Sequence, residues 1–465
     1  MGSIVVCGGG VVGLSAALLL ARDGHAVTVL EADPAGPPPG AAQAWASWQR
    51  KGVAQFRQPH NLLPRFGQIL SRELPEMIDR LLAAGCVWGD ALAPLPPGIT
   101  DRAPRPGDDR FRFITGRRPV VESVFAAAAE EEAGVTVRRG VRAAGLLAGP
   151  SAVAGTPHVA GVRTTDGQRI HADLVVDAMG KRTPSADWLA ELGAGEPRTE
   201  VEDGGFVYYT RYFTGPEPPV RRAAPFTPMG TFSLLTIPGD NGTWSVTVVA
   251  STGDEPLRAL REPGCFTRVV RACPAHAHWL AGTPVTGVLA MAGVLDRYRR
   301  FVVDDRPVVT GFAAVGDAWA CTNPTAARGL SIGLIHAQVL RDVVGAHLDE
   351  PALFPTVWDE RTERLLTPFY RDQISADRAR IAEMDALRQG VQPPPPDPAA
   401  ARFEAAAFHD ADVFRALVET AACLAVPRDV LARPDLQARI DALGSYESFR
   451  APGPDRGQLL RLLAE

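Results

Sequence analysis

A glycine-rich turn between two short apolar runs opens the chain and constrains its fold more than any other feature. An apolar run at residues 4–7 leads directly into a GxGxxG pattern, and a helical stretch then leads to a second apolar run at residues 26–30. In such a unit Gly8 permits the tight turn, Gly10 lets the backbone approach a pyrophosphate, and Gly13 lets the helix pack closely on the strand. The pattern predicts a Rossmann-like unit that binds a dinucleotide.

An acidic residue ends the second apolar run. Glu31 lies 18 residues after Gly13, close to the spacing expected for a carboxylate that binds the 2′-hydroxyl of an adenosine ribose. The helix N-terminus adds free N–H groups and about half a positive charge for the phosphates. The alternative is a glycine-rich turn without a ligand, which the complete set of neighbouring elements disfavours.

Length and composition define the broad class. A chain of 465 residues is long enough for two or three domains, and 46% hydrophobic with 22% charged residues describes a soluble globular protein. A net charge of −5 without a basic stripe disfavours a nucleic-acid partner, and no apolar run reaches the about 18 residues of a transmembrane segment. We expect a cytoplasmic protein, because the first strand leaves no room for a secretory signal and the six scattered cysteines suit free thiols.

The pattern along the chain predicts an α/β fold with a discontinuous first domain. We expect the nucleotide-binding domain to comprise residues 1–195 and 300–345. Residues 196–299 are rich in β-branched and aromatic residues, which predicts an inserted, mainly antiparallel β domain. Residues 346–465 predict a helical C-terminal region, interrupted by a stiff run of prolines at residues 393–396.

Local patterns predict further elements. Apolar residues at helical spacing predict one helix over residues 65–85. An Asp-Gly turn predicts a hairpin with arms at residues 159–164 and 169–176. Residues 306–315 predict a buried strand.

A second informative segment joins that last strand to a helix. The strand ends in Gly316-Asp317, an irregular loop follows, and a helix begins near Gly329. Asp317 therefore lies at the carboxyl end of a strand, where open α/β sheets bind ligands. The N-terminus of the following helix offers a fixed positive potential, which suits a developing anion.

In order and spacing these motifs resemble those of FAD-dependent monooxygenases of the hydroxybenzoate-hydroxylase-type fold, over residues 1–345. The resemblance implies FAD at the glycine turn, a ribityl chain held by Asp317, an isoalloxazine contacted by residues 324–331, and a substrate in the β domain. Arg118 is our candidate for a cation near the FAD phosphates or ribityl chain. The expected FAD-binding residues are Gly8, Gly10, Val12, Gly13, Glu31, Arg118, Gly180, Gly316, Asp317, Pro324, Arg328, Gly329 and Leu330.

A closer likeness lies in residues 50–55, which read Arg-Lys-Gly-Val-Ala-Gln and are followed by Arg57 and His60. This segment resembles flavin epoxidases that act on polyene chains in polyether antibiotic biosynthesis, although Ala54 replaces their proline. Residues 177–184 also resemble that subgroup, and the same segment occurs in related flavin halogenases and prenyl reductases.

The resemblance implies insertion of one oxygen atom from O2, through a flavin C4a-hydroperoxide, into a largely apolar organic substrate. Hydroxylation and epoxidation both fit, and the substrate is expected to be a secondary metabolite. No metal-ligand cluster, Ser/His/Asp set or carboxylate pair is evident in the sequence, and this chemistry needs none because the cofactor supplies the reactivity. NADPH or NADH is the implied reductant. Residues 177–182 lack the pattern of hydroxylases that react with NADPH directly, which leaves a separate flavin reductase open as a partner.

Candidate catalytic residues are Arg50, Lys51, His60, Tyr208 and Tyr212. Four of them have a structural alternative: a plain surface loop for the two cations, and core packing with a hydrogen-bonded hydroxyl for the two tyrosines. In the flavin loop, Ala327 and Ser331 stand where the family has glycine and asparagine.

Two rival functions remain at this point. A flavin-dependent reductase or halogenase uses the same scaffold, but the Trp-x-Trp-x-Ile-Pro segment of halogenases is absent and only residues 243–246, Thr-Trp-Ser-Val, come near it. A non-enzymatic binding protein of this fold, of the Rab-escort or dissociation-inhibitor type, is disfavoured by the intact Gly-Asp loop.

Overall fold

The apolar runs that flank the glycine turn lie side by side in a parallel sheet, as the sequence predicts. A computed structural model describes residues 1–443 and 451–465 of the chain. Its strands are β1 (Ser3–Cys7), β2 (Ala26–Glu31), β3 (Asn61–Leu62), β4 (Val87–Asp90), β5 (Arg112–Thr115), β6 (Val135–Arg139), β7 (Ala143–Val153), β8 (Thr156–Thr164), β9 (Arg169–His171), β10 (Leu174–Asp177), β11 (Arg198–Asp203), β12 (Phe206–Thr214), β13 (Phe226–Pro228), β14 (Phe232–Pro238), β15 (Thr243–Ser251), β16 (Thr283–Pro284), β17 (Leu289–Ala292), β18 (Leu295–Arg300), β19 (Val302–Val303), β20 (Arg306–Pro307), β21 (Phe312–Ala314) and β22 (Ala320–Cys321).

Helices alternate with several of these strands and fill the C-terminal part of the chain. They are α1 (Val11–Arg22), α2 (Ala41–Ala46), α3 (Pro64–Glu73), α4 (Glu76–Ala83), α5 (Arg118–Glu131), α6 (Ser185–Glu191), α7 (Pro263–Arg271), α8 (Gly329–His347), α9 (Phe354–Leu365), α10 (Thr367–Gln389), α11 (Pro398–Ala407), α12 (Ala411–Ala421), α13 (Pro427–Leu431), α14 (Pro434–Leu443) and α15 (Arg456–Ala464).

The central sheet of the first domain has the order β21-β10-β1-β2-β6, and all its pairs are parallel. Ile4 pairs with Leu174 on one side and with Val27 on the other. Residues 4–7 are buried, as expected for a parallel strand that is covered on both faces. Helices α1, α5 and α8 pack together against this sheet, so the predicted Rossmann-like unit is confirmed.

Two glycines of the turn are required by sterics. Gly8 has φ +112°, a backbone conformation that disfavours a side chain, and a Cβ atom there would lie 2.4 Å from the carbonyl oxygen of Ala178. A Cβ atom at Gly13 would lie 2.1 Å from the carbonyl oxygen of Gly8. Helix α1 can therefore approach the turn and β10 only because these side chains are absent.

Within the predicted inserted domain lies an antiparallel sheet of order β13-β14-β15-β12-β16, in which β17 also pairs with β12. One face of β12, which carries Val207, Tyr209 and Phe213, packs in a core with Phe266 of α7 and Leu459 of α15. The opposite face carries Tyr208, Thr210 and Tyr212, because side chains alternate along a strand. That second face is directed toward α10 and the segment of residues 45–60.

Three predicted elements need correction. Residues 65–85 form two helices, α3 and α4, because Pro75 lacks an N–H group and clashes with a preceding helical turn. The second arm of the predicted hairpin divides into β9, which pairs with β8, and β10, which enters the central sheet. Residues 306–315 contain only the two-residue β20 and the three-residue β21, since Gly311 between them adopts φ +71°.

The helical region after residue 346 is confirmed, and the prolines at 393–396 lie between α10 and α11 as predicted. Within the described residues no helix has the length and apolar character needed to cross a bilayer. All six cysteines are buried and free.

Candidate active site

The carboxyl edge of the parallel sheet gathers the predicted cofactor residues. Gly8 follows β1, Glu31 ends β2, Gly180 follows β10, and Asp317 follows β21. A Cβ atom at Gly316 would lie 3.1 Å from Cγ1 of Val12 in the first turn of α1. The glycine turn and the aspartate loop, distant in sequence, are therefore in contact.

The side chain of Asp317, at the carboxyl edge of the sheet, is partly exposed to solvent. No residue in the described part of the chain donates a hydrogen bond to its carboxylate. The surrounding protein removes water and raises the pKa of Asp317, while the positive charges of Arg118 and Lys181 act in the opposite direction. A partly exposed acceptor that receives no hydrogen bond from the described residues is suited to bind a ligand hydroxyl.

The N-terminus of α1 leaves room for a phosphate. Gly10 is the N-cap residue of α1, with φ −81° and ψ 173°, and a Cβ atom there would meet nothing within 4 Å. Since the first N–H groups of a helix have no internal partners, the open space in front of Gly10 is suited to a pyrophosphate. Together with the free carboxylate of Asp317, this geometry fits FAD.

Glu31 is bonded on both carboxylate oxygens. Its Oε2 accepts from Gly9 N at 2.9 Å and from Arg50 Nη2 at 2.6 Å, and its Oε1 accepts from Asp33 N at 2.8 Å. A carboxylate can accept about four hydrogen bonds, so capacity for a ribose hydroxyl remains.

Arg50 joins the glycine turn to α5. Its guanidinium is buried and donates to Glu31, to Asp33 at 3.0 Å, to Glu122 at 2.9 Å, and to the carbonyl of Gly9 at 3.2 Å. Burial alone would lower the pKa of Arg50, but the three carboxylates together raise it above its ordinary value. The structure thus places this candidate residue in an internal network, whereas Lys51 beside it is exposed.

His60 is held as a neutral ring beside Arg118. Arg118 donates to Glu122 at 2.6 Å and to Nε2 of His60 at 3.0 Å. Because a guanidinium can only donate, Nε2 is the acceptor, and Nδ1–H therefore donates to the carbonyl of Gln58 at 2.9 Å. Burial, followed by the charge of Arg118, lowers the pKa of His60 to about 3.

The predicted flavin loop has an unusual conformation at Ala327, which adopts φ +56° in the left-handed region. Pro324 begins a short 3-10 turn before it. Arg328 donates to Asp372 of α10 at 2.5 Å. Helix α8 begins at Gly329, and the buried hydroxyl of Ser331 has no hydrogen-bond partner among the described residues.

A pair of buried carboxylates supports this loop, and the sequence analysis missed it. Asp296 accepts from Asn323 N at 2.5 Å, and Asp377 accepts from the hydroxyl of Thr325 at 3.2 Å. Burial, together with the negative charge of Asp377, raises the pKa of Asp296 to about 7. Burial also raises the pKa of Asp377 to about 6, against the effect of its hydrogen bonds with Gln373 and Thr325. Asp296 lies on β18 and Asp377 on α10, and no sequence pattern links them.

Asp377→Asn is expected to increase stability at pH 8 and not at pH 4. An unfolded aspartate has a pKa of about 4, so the folded chain binds this proton more tightly. The resulting stabilisation is present below about pH 4 and is lost as the pH rises through about 6. Urea denaturation at the two pH values should show a gain of about 1–2 kcal/mol at pH 8 only. Asp79→Asn, at an exposed aspartate of α4, is the control, and an equal gain in both variants would contradict the prediction.

Tyr208 and Tyr212 both lie on the second face of β12, and their hydroxyls are buried without a hydrogen-bond partner in the described residues. Burial, with the charges of Asp377 and Asp296, raises the pKa of Tyr208. Between the tyrosines, Thr210 donates to the side chain of Gln58 at 2.8 Å. Both tyrosines are packed in the interior, as the structural alternative expects, but their hydroxyls lack the hydrogen bonds that it includes.

Asp317→Ala is expected to weaken FAD retention about tenfold, because a hydrogen bond to a charged acceptor contributes about 1.5–3 kcal/mol. The folded chain without FAD should not lose stability, since the substitution removes a desolvated carboxylate that has no internal partner. Flavin absorbance after dialysis and a thermal melt of the FAD-free protein measure the two effects. Unchanged flavin content would contradict the role of Asp317.

Comparison with known proteins agrees with this geometry. Residues 3–89 match the family model described as FAD dependent oxidoreductase. The matched segment contains the glycine turn and Glu31, so this likeness, the fold and the sheet-edge site all agree with an FAD-dependent oxidoreductase. No group of histidine, cysteine, aspartate or glutamate side chains suited to a metal ion occurs in residues 1–443 and 451–465.

Individual similar proteins are distant. Protein Rv3254 of Mycobacterium tuberculosis is 26% identical over 378 residues, which cover 74% of this chain and 73% of that protein. The crystal structure of PqsL, a probable FAD-dependent monooxygenase from Pseudomonas aeruginosa, aligns with a TM-score of 0.59 and 17% identity over 83% of this chain and 98% of its own. The myxobacterial chondrochloren halogenase CndH, an FAD-dependent halogenase, aligns with a TM-score of 0.60 and 19% identity over 99% and 95%. At these identities the solved structures show a shared fold.

Proposed function

We propose that the protein is an FAD-dependent monooxygenase that inserts one oxygen atom from O2 into a largely apolar organic substrate, by hydroxylation or epoxidation. The observation that carries the proposal is the second face of β12. Tyr208 on this face packs with Val249, Val294 and Met384 and has an unpartnered hydroxyl near Asp377, whose own partner Thr325 belongs to the flavin loop. A buried, mostly apolar surface beside the cofactor loop suits oxygen transfer, which requires exclusion of water.

The chain's own residues would hold and orient the cofactor. The open N-terminus of α1 at Gly10 would receive the pyrophosphate, Glu31 the adenosine ribose, and Asp317 the ribityl hydroxyls. Residues 324–331 and the N-terminus of α8 would face the isoalloxazine. Bound flavin supplies the activation of O2, and the protein supplies position and a dry environment.

Two side chains near the loop are placed to hold protons for the reaction. Oδ2 of Asp377 is buried without a hydrogen-bond partner in the described residues, and the raised pKa of this carboxyl keeps it partly protonated near pH 6. The hydroxyl of Tyr208 keeps its proton throughout the physiological range. His60, kept neutral by burial and by the charge of Arg118, supplies no titrating group there.

The test begins with the visible spectrum of the purified protein, followed by turnover with NADPH or NADH, alone and with an added flavin reductase. Apolar aromatic and polyene compounds serve as trial substrates in 18O2. A product that carries one labelled oxygen atom supports the proposal. Bromide-dependent incorporation of bromine or reduction of a double bond would instead indicate the halogenase or reductase. A colourless protein that is indifferent to FAD would indicate a binding protein.

A further inference from the structure

At Tyr212, one end of the second face of β12 lies beside a cluster of positive charges. The acidic pair Asp296 and Asp377 lies near the other end, at Tyr208. The rings of Tyr212 and Trp45 are 4.9 Å apart in an edge contact. The guanidiniums of Arg57 and Arg117 lie 4.8 Å and 4.5 Å from the ring centre of Trp45. Two cations therefore stack on one indole above the buried tyrosine.

Only one of these cations is neutralised. Arg117 is buried, and its guanidinium donates to both carboxylate oxygens of Asp240, including Nη2 to Oδ2 at 2.6 Å. Arg57 forms no ion pair with any described residue, and its guanidinium donates to the backbone carbonyls of Trp45 and Trp48. Since a guanidinium carries five N–H donors, several donors of Arg57 remain unused and the cluster keeps about one positive charge.

The surroundings of Arg57 disfavour an uncompensated charge. Loss of water and the nearby charge of Arg117 lower the pKa of Arg57. Arg57 and Trp45 retain partial exposure, whereas the unpartnered hydroxyl of Tyr212 lies fully buried beneath them. An anion placed here would offset the repulsion between the cations and accept hydrogen bonds from Arg57 and Tyr212.

We propose that Arg57, Trp45 and Tyr212 bind a carboxylate attached to a flat, conjugated part of the substrate. The inference rests on the proposed function, because it assumes that the substrate binds along the second face of β12. Four residues along a strand span about 13 Å, which is then the separation between this carboxylate and the reacting end at Tyr208. The substrate is accordingly apolar along its length and anionic at one end.

Benzoate is the probe, and benzamide is its neutral counterpart of nearly the same shape. Calorimetric titration of the FAD-loaded full-length protein should show saturable binding of benzoate and at least tenfold weaker binding of benzamide. Arg57→Gln should weaken benzoate binding at least tenfold, and Tyr212→Phe several-fold with the ring packing retained. Arg112→Gln is the matched control, because Arg112 stacks on Trp88 at 4.8 Å in another sheet.

Three results would overturn the assignment: no saturable benzoate binding to the wild type, equal binding of benzamide, or equal losses in Arg57→Gln and Arg112→Gln. Thermal melts identify a variant that is misfolded, and Tyr212→Phe then decides the test. Flavin absorbance is recorded on the same samples, and the titration is repeated on FAD-free protein. Failure of the proposed function therefore appears as missing flavin, independently of benzoate affinity.

Discussion

Replacement of Gly10 by alanine should abolish FAD retention while the fold survives. The φ of −81° at this N-cap is accessible to every residue, and a Cβ atom meets nothing within 4 Å. The added methyl group instead occupies the open space in front of α1, where the pyrophosphate is proposed to bind. We expect a loss of FAD affinity of about 100-fold, or about 3 kcal/mol, and a cost to the FAD-free fold of about 1 kcal/mol at most.

Two neighbouring substitutions make this prediction specific. Gly13→Ala brings a Cβ atom to 2.1 Å from the carbonyl oxygen of Gly8, so this variant should lose folded protein together with flavin. Gly52→Ala, where a Cβ atom also meets nothing within 4 Å, should change neither. Equilibrium dialysis against FAD and circular dichroism distinguish the three results. Wild-type affinity in Gly10→Ala would show that the pyrophosphate lies elsewhere.

Arg50→Met should lower the free energy of unfolding by about 3–5 kcal/mol, because it leaves buried carboxylates without their shared cation. The side chains of Glu31 and Glu122 that Arg50 contacts are only 6% and 0% exposed. In this variant Glu122 keeps its ion pair with Arg118. Among the described residues, Glu31 keeps only the backbone N–H donors of Gly9 and Asp33. Methionine preserves most of the side-chain volume, so the loss of charge is the main change.

The matched control for this substitution is Arg80→Met. Arg80 forms an exposed ion pair with Glu131 at 2.7 Å, and exposed pairs contribute about 0–1 kcal/mol. Urea denaturation of both variants, measured without added FAD, compares a buried and an exposed arginine in one protein. Similar losses of stability in the two variants would show that the buried network is not the source of the effect.

The parts of the fold and site that the sequence predicted are local in origin. The glycine turn, β1, α1 and β2 follow from residues 4–31, since turn sterics and apolar spacing act over a few residues. The contact of Gly316 with Val12 was also foreseeable, because the carboxyl ends of parallel strands share one edge. Alternation along β12 correctly placed Tyr208 and Tyr212 on one face.

The remaining features depend on which distant segments meet. Asp296 and Asp377 belong to a strand and a helix that become neighbours only in the folded chain. The residues next to each aspartate in the sequence therefore did not indicate its raised pKa. The unpartnered tyrosine hydroxyls and the lone cation of Arg57 arise likewise from the packing of residues 45–60 on β12. The division of β9 from β10 reflects competition between a hairpin and the central sheet, which local propensity does not decide.

The position of β10 between β1 and β21 has a consequence for biosynthesis. The ribosome must synthesise the entire six-stranded sheet before β21 can dock, so one edge of the four-residue strand β10 stays unpaired in the nascent chain. At about 5–20 residues per second this exposed apolar edge persists for roughly ten seconds. Such an edge is a ready target for chaperones and for misassociation between neighbouring nascent chains.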